Sequence, residues 1–209
     1  EHDSVEAARN AATDDAQASH MPNAQGRLAI GIALADLQKA EFGVSGHYGQ
    51  EEADYALGDN NGHGNTDYET YSMVADLRIP IDPIEFKGEV FRGRNLDSYR
   101  GGIGQGLNTT LDKEIDSSGG WVALTVRPVA DLALSGGTGV DDPYNKALNA
   151  GDRAKNFIKF VNATYDINKA LTIGLEGQEI ITDFYNPTPA TNVHEGKDER
   201  VAVSVIFKF

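Results

Sequence analysis

The sequence contains no cysteine and no long uninterrupted run of apolar residues. Without cysteine, the chain has no disulfides, no zinc–thiolate sites and no cysteine nucleophile. A membrane-spanning helix needs about 18 or more consecutive apolar residues, so a helical membrane protein is excluded. Basic residues are also scarce, with 18 lysines and arginines against 32 aspartates and glutamates and a formal net charge of −14. Nucleic acid is therefore excluded as a partner, because its binding needs a basic surface.

Apolar and polar residues instead alternate strictly in segment after segment of the chain. At the end of the sequence, Val201, Val203, Val205, Phe207 and Phe209 alternate with Arg200, Ala202, Ser204, Ile206 and Lys208. Successive side chains of a β-strand point to opposite faces, so this segment predicts a strand with one apolar face. The same pattern predicts about nine strands, at 27–34, 42–48, 70–79, 84–90, 121–127, 131–135, 157–166, 171–178 and 200–209. In 157–166, Lys159 falls out of phase, which indicates a bulge.

The connections between these segments are alternately short and long. The short ones lie at 35–39, 80–83, 128–130 and 167–169, and the long ones at 51–67, 95–119, 141–156 and 185–199. Outer-membrane barrels have this asymmetry, with short periplasmic turns and long extracellular loops. The loops of a soluble β-sandwich have no reason to sort by length in this way. We therefore expect an all-β fold, a transmembrane antiparallel up-and-down β-barrel.

A lipocalin-like barrel could use the same alternation with its apolar face inside. The aromatic residues favour the membrane barrel, because several lie near strand ends, where an interfacial girdle belongs. These residues are Tyr48, Tyr71, Tyr165, Phe184, Phe207 and Phe209.

The last strand also resembles a known signal. Val201–Phe209 is similar to the C-terminal strand of outer-membrane barrel proteins, which ends in phenylalanine after alternating apolar residues. The resemblance implies insertion by the barrel-assembly machinery, with Val203, Val205, Phe207 and Phe209 as the assembly signal. Further segments resemble bacterial porins, namely 42–49, 91–96 with 99–104, and 162–167 running into 171–176. The porin family implies a homotrimer in the bacterial outer membrane, each barrel having roughly 16–18 strands around a water-filled channel.

Nine strands are too few for such a barrel. With Phe209 at the periplasmic rim, alternation makes the strand at 27–34 descend from the outside. Residues 1–25 are then expected to form an extracellular loop with the remnant of a preceding strand, and residues 26–209 the barrel strands with their turns and loops. On this interpretation the sequence is incomplete at its N-terminus, and a complete ten-strand barrel is the alternative.

We expect the function to be passive diffusion of small hydrophilic solutes, leaning towards anions. The residues expected at the constriction are Arg92, Arg94, Arg100, Arg127 and Glu89, with 95–119 folded partly into the lumen. Arginine has a fixed charge and binds carboxylate or phosphate in a bidentate manner. The alternative is that these residues belong to a solvated inner wall or contact lipopolysaccharide, which together with outer-membrane lipid is the expected surrounding.

No cofactor, metal or catalytic activity is expected. The segment Asp59–Asp67 offers oxygen ligands, but their spacing does not fit an EF-hand. Ser45 and His47 share a strand face, yet no spacing pairs a nucleophile with a base. The alternative function is a narrow structural or adhesin-type barrel without a conducting lumen.

Overall fold

A computed structural model describes residues 21–34, 38–53, 66–99, 101–108, 110–186 and 195–208, without the side chains of 52, 53 and 66. All nine predicted strands form, and a short hairpin of two two-residue strands lies within one loop. The strands are β1 (Ala24–Ala33), β2 (Lys39–Ala53), β3 (Thr66–Ile81), β4 (Ile84–Arg94), β5 (Leu107–Asn108), β6 (Lys113–Glu114), β7 (Asp116–Val129), β8 (Leu132–Pro143), β9 (Arg153–Asn168), β10 (Leu171–Phe184) and β11 (Glu195–Phe207). The predicted loop 1–25 lies mostly outside the described residues.

The nine long strands form one antiparallel sheet in the order β1-β2-β3-β4-β7-β8-β9-β10-β11. Each long strand pairs with its neighbours in sequence, as short turns favour. The sheet is not closed into a barrel: within the described residues, β1 pairs only with β2, and β11 only with β10. The all-β prediction is confirmed.

One face of the sheet is apolar and uncovered. Its most exposed members include Leu28 at 77%, Met73 at 74%, Val161 at 67% and Val201 at 80%. The register aligns these residues across the sheet; for example, Leu28 lies opposite Val44, and Leu175 opposite Val203. We call this surface the apolar face and the opposite surface the polar face.

Charged side chains continue the apolar face towards the long-loop end of the sheet. They are Arg94, Asp116, Lys159, Glu179, Lys197 and Glu199. Lys159 pairs in regular register with Thr138 and Glu179, so the bulge expected in 157–166 is wrong. Lys159 lies on the same face as Val161, at the point where the strand leaves the apolar band and enters a charged zone. There the Glu179 carboxylate binds the Lys159 ammonium at 3.2 Å. We call these six residues the charged rim.

The small apolar core lies at the long-loop end. Among the described residues, the buried large apolar side chains are Tyr68, Leu96, Ile115 and Leu148. They come from the ends of long strands and from the loops after β4 and β8. No layer of apolar side chains covers the described sheet elsewhere.

The helical elements of the described ranges are three-residue 3-10 turns, none of which has the length or apolarity to cross a bilayer.

Candidate functional site

The loop between β4 and β7 folds over the polar face. We call residues 95–115 the cap loop. Its entry and exit are tied together, because the Asn95 backbone N–H donates to the Ile115 carbonyl at 3.0 Å. Its first turn closes on Leu96, whose carbonyl accepts from the N–H groups of Tyr99 and Gly101 at 3.0 and 2.9 Å. Leu96 and Ile115 are both buried, so the loop has a small core of its own.

His47 of β2 joins the cap loop to the sheet. Its ring stacks on the ring of Tyr99, with centroids 3.7 Å apart and planes 16° apart. The Thr70 hydroxyl donates to the Asn95 carbonyl at 2.9 Å, so it receives its other hydrogen bond, also 2.9 Å, from His47 Nε2–H. The Ser72 hydroxyl lies 2.7 Å from His47 Nδ1, so both ring nitrogens have a hydrogen-bond partner. Burial, followed by the nearby Glu51 carboxylate, raises the pKa of Tyr99, so its hydroxyl stays protonated.

Asp141 of β8 anchors the middle of the cap loop. One carboxylate oxygen accepts from the Ile103 backbone N–H at 3.0 Å, and the other accepts from the Ser117 hydroxyl at 2.7 Å. Farther along the loop, Gln105 exchanges two hydrogen bonds with the backbone of Arg153, at 2.8 and 2.9 Å. The loop is thus bound to β2, β3, β8 and β9 and lies over the polar face.

Arg92 and Arg94 lie on the apolar-face side of β4. Arg92 is the register partner of Met73, and Arg94 that of Tyr71. The Arg94 guanidinium binds Asp116 at 2.7 Å and lies 5.7 Å from the centre of the Tyr71 ring, while Arg92 lies 5.7 Å from the ring centre of Tyr144. The structure therefore does not bring these two arginines to the polar face beneath the cap loop. The alternation in the sequence indicates this placement, because Arg92 and Arg94 are in phase with the apolar residues Phe86 and Val90.

The remaining predicted constriction residues are dispersed. Arg127 is exposed at the opposite end of the sheet, where its backbone N–H donates to the Pro83 carbonyl at 2.8 Å. Arg100 lies outside the described residues. Glu89 lies on the polar face between Asp76 of β3 and Trp121 of β7. Glu89 thus lies on the polar face of β4, the strand that leads into the cap loop.

Ion pairs connect the first four strands across the polar face. Arg27 of β1 reaches Glu41 at 2.7 Å and Asp76 at 2.6 Å. Glu85 accepts from Arg78 Nε at 2.8 Å and pairs with Lys87 at 2.8 Å. The nearly buried carboxylate of Glu85 therefore binds both Arg78 and Lys87.

Aromatic side chains on the polar face were missed by the sequence reasoning. Phe91, Trp121 and Phe160 share this face in successive rows of the register. Phe91 faces Gly119, and Phe160 faces Gly137, on neighbouring strands. The signal that could have found them is the phase of each aromatic residue within its strand, which places it opposite the apolar members.

The residues of the predicted assembly signal lie along the outer strand of the sheet. Val203, Val205 and Phe207 point away from the polar face and are 71%, 56% and 69% exposed. Phe209 lies outside the described residues. In the described part of the chain, no three histidine or carboxylate side chains are grouped to hold a metal ion. Of the segment Asp59–Asp67, which offers oxygen ligands, residues 59–65 lie outside that part.

Comparison with family models, with curated proteins and with solved structures finds no match to this chain. The chemistry of the site therefore has to be inferred from the chain's own residues.

Proposed function

We propose that this chain forms part of the wall of a porin-like outer-membrane β-barrel that lets small hydrophilic solutes diffuse through a water-filled channel. The observation that carries the proposal is the apolar face, which is exposed across the sheet, while the opposite face is polar and covered at one end by the cap loop. This arrangement suits a wall between lipid and water.

The free energy that would be gained by burying the apolar face supports a lipid environment. Burying one valine, leucine or phenylalanine side chain is worth about 1.5–3 kcal/mol. Many such residues stand uncovered here, including Leu28, Met73, Val161, Val201 and Phe207. Soluble monomers rarely expose contiguous apolar patches of more than a few hundred Å². From Val201 to Phe207 the apolar stretch covers roughly 20 Å of strand. On a strand tilted by about 40° this corresponds to a height of about 15 Å, more than half of the apolar band of about 25 Å of outer-membrane barrels.

The two sheet edges support closure with further strands. Unpaired N–H and C=O groups cost several kcal/mol each in lipid, so β1 and β11 need partners there. We propose a barrel of roughly 16–18 strands, as in porins. Assembly as a homotrimer, insertion by the barrel-assembly machinery and contact with lipopolysaccharide at the charged rim belong to the same proposal.

The preference of the channel for cations or anions depends on the charged side chains of the polar face. Anion preference was expected from arginines beside the longest loop, and two of these, Arg92 and Arg94, lie on the other side of β4. On the polar face Asp76 is paired with Arg27, whereas the carboxylates of Glu89 and Asp141 have no cationic partner among the described residues. Fixed charge in a narrow aqueous pore is poorly screened, so we propose that this channel favours cations.

A second candidate is a narrow barrel without a conducting lumen. Two observations favour it: the ion pairs that link Arg27, Glu41 and Asp76, and the cap loop bound down on the polar face. Interlocked charges and a folded loop can fill a small lumen. Conductance across a planar bilayer separates the two candidates, because a filled barrel does not conduct.

The decisive experiment compares neighbouring residues on opposite faces of β11. Val203→Lys places a charge on the apolar face, where it costs about 2–4 kcal/mol at the bilayer midplane. Ser204→Lys places the same charge on the polar face and serves as the matched control. We expect Val203→Lys to reduce the fraction of protein that resists urea extraction from liposomes, while Ser204→Lys inserts like the parent. Equal insertion of both variants would reject the membrane proposal.

A further inference from the structure

An aromatic and acidic patch lies on the polar face immediately below the cap loop. Its members are Asp76 of β3, Glu89 and Phe91 of β4, and Trp121 of β7. Glu89 is the register partner of both Asp76 and Trp121, so the three lie side by side across neighbouring strands. Phe91 follows two residues after Glu89 on the same face. We call these four residues the Trp121 patch.

Glycines on the neighbouring strands lie beside both rings of the patch. A Cβ placed on Gly119 would lie 2.6 Å from Cζ of Phe91, so the Phe91 ring extends over the glycine of the next strand. Trp121 faces Gly139 on β8, which has no side chain to cover the indole. Trp121 is accordingly 39% exposed. The Trp121 indole is thus exposed on the polar face, and the Phe91 ring lies half-buried over Gly119 at the adjacent level.

The cap loop forms the roof of this region. Ile103 of the loop is bonded to Asp141, which lies in the same register row as Gly119 and Phe91. Trp121 and Glu89 lie one row farther from the loop end. A solute that passes the tip of the loop therefore meets the Trp121 patch next.

The charge within the patch is negative and unevenly neutralised. Asp76 is bound by Arg27 at 2.6 Å. Lys87, two residues from Glu89, is held by Glu85 at 2.8 Å. Within the described ranges, no ion pair or hydrogen bond reaches the Glu89 carboxylate. Glu89 therefore offers a full negative charge beside the exposed indole.

We propose that the Trp121 patch is a binding site for organic ammonium ions, which deepens and rests on the proposed channel function. An ammonium group is attracted both by the face of an aromatic ring, best of all tryptophan, and by a carboxylate. Methyl groups on the nitrogen pack against the rings and lower the cost of removing water. Inorganic cations keep their hydration shell and gain less from the rings, whereas anions are repelled by Glu89.

The single tryptophan of the chain makes the site directly observable. Trp121 emission is quenched by acrylamide, a neutral quencher, in the full chain folded in detergent micelles. Choline is the probe, and 3,3-dimethylbutan-1-ol is its uncharged isostere. We expect choline to protect Trp121 from quenching in a saturable manner, and the isostere to protect weakly or not at all.

Variants of two carboxylates on the same face complete the test. Glu89→Gln is expected to raise the choline concentration for half-protection about tenfold, because it removes the charge next to the indole. Glu89→Asp keeps the charge and should retain most of the binding. Glu176→Gln is the matched control, since Glu176 also lies on the polar face but contacts Asn162 at 3.3 Å, away from Trp121. Circular dichroism verifies that each variant keeps its strands.

Equal protection by choline and its isostere, or equal effects of Glu89→Gln and Glu176→Gln, would overturn the site. Potassium conductance of the same preparation tests the channel separately. A conducting channel without choline protection rejects only the site. Choline protection that depends on Glu89 in a non-conducting protein supports the site and rejects the channel.

Discussion

The two ends of the sheet are built differently. At the short-turn end, the chain reverses within a few residues, and Asp82, Pro83 and the segment 127–130 are exposed. At the long-loop end, the cap loop buries Leu96 and Ile115 and binds the sheet through His47 and Asp141. The contacts at the short-turn end are exposed, such as the pair Lys208–Asp166, whereas those at the long-loop end include buried side chains. Elaborate loops at one end of a simple scaffold are where binding residues are commonly held.

The largest effect should come from the core of the cap loop. Ile115 is 2% exposed, and Ile115→Ala removes buried methyl and methylene groups at a cost of about 2–4 kcal/mol. Because the loop is a local unit of structure, we expect it to open more than tenfold more often. Hydrogen–deuterium exchange at the amides of Tyr99 and Gly101 measures this opening.

Leu111→Ala is the control for that prediction, because Leu111 belongs to the same loop but is 45% exposed. It should leave the exchange of both amides nearly unchanged. If the two alanine variants accelerate exchange equally, the cap loop does not depend on its buried core, and the contrast between the two ends fails.

A smaller effect is expected at the hydroxyl that links strand and loop. Thr70→Val leaves His47 Nε2 and the Asn95 carbonyl without their shared partner, which costs about 1–3 kcal/mol for buried groups. At the other end of the sheet, Thr125 and Ser135 share a hydroxyl contact of 2.9 Å between partly exposed residues. Thr125→Val should therefore cost less, since water can replace the lost contact.

Thermal unfolding in detergent, together with amide exchange in the cap loop, compares the two threonine variants. The prediction requires that Thr70→Val speeds loop exchange and that Thr125→Val does not. The reverse order would mean that the loop is held mainly by Asp141 and its apolar core.

Alternation alone could predict the nine strands and their pairing, because it reports directly which side chains share a face. It could not locate the strand ends in the charged rim. β11 begins at Glu195, inside a segment expected to be loop, and β7 begins at Asp116. The strands continue there with ion pairs such as Lys197–Glu179 on the outer face, a pattern without apolar residues to mark it.

The candidate site was harder to predict from sequence. Glu89 is among the residues expected at the constriction, whereas Phe91 and Trp121 are not singled out by the sequence. Contacts such as His47–Tyr99 join residues 52 positions apart, and no local pattern indicates them. Arg92 and Arg94 were assigned by their closeness to the longest loop, although their phase within β4 places them on the other side.

The smallest expected effect concerns exposed ion pairs at the two ends. Lys197 of the charged rim binds Glu179 at 2.7 Å and Glu199 at 2.8 Å, and its side chain is 48% exposed. Lys208, at the short-turn end, binds one carboxylate among the described residues, that of Asp166 at 3.1 Å, and its side chain is 53% exposed. Solvent screens both sites, so each alanine variant should lose less than about 1 kcal/mol. Lys197→Ala should lose more, because Lys197 bridges two carboxylates that otherwise repel each other.

Urea unfolding at low salt and at 1 M salt measures both variants, and the difference between them should vanish at high salt, where charges are screened beyond about 3 Å. A difference that persists at high salt would show that the Lys197 side chain stabilises β10 and β11 by packing rather than by charge.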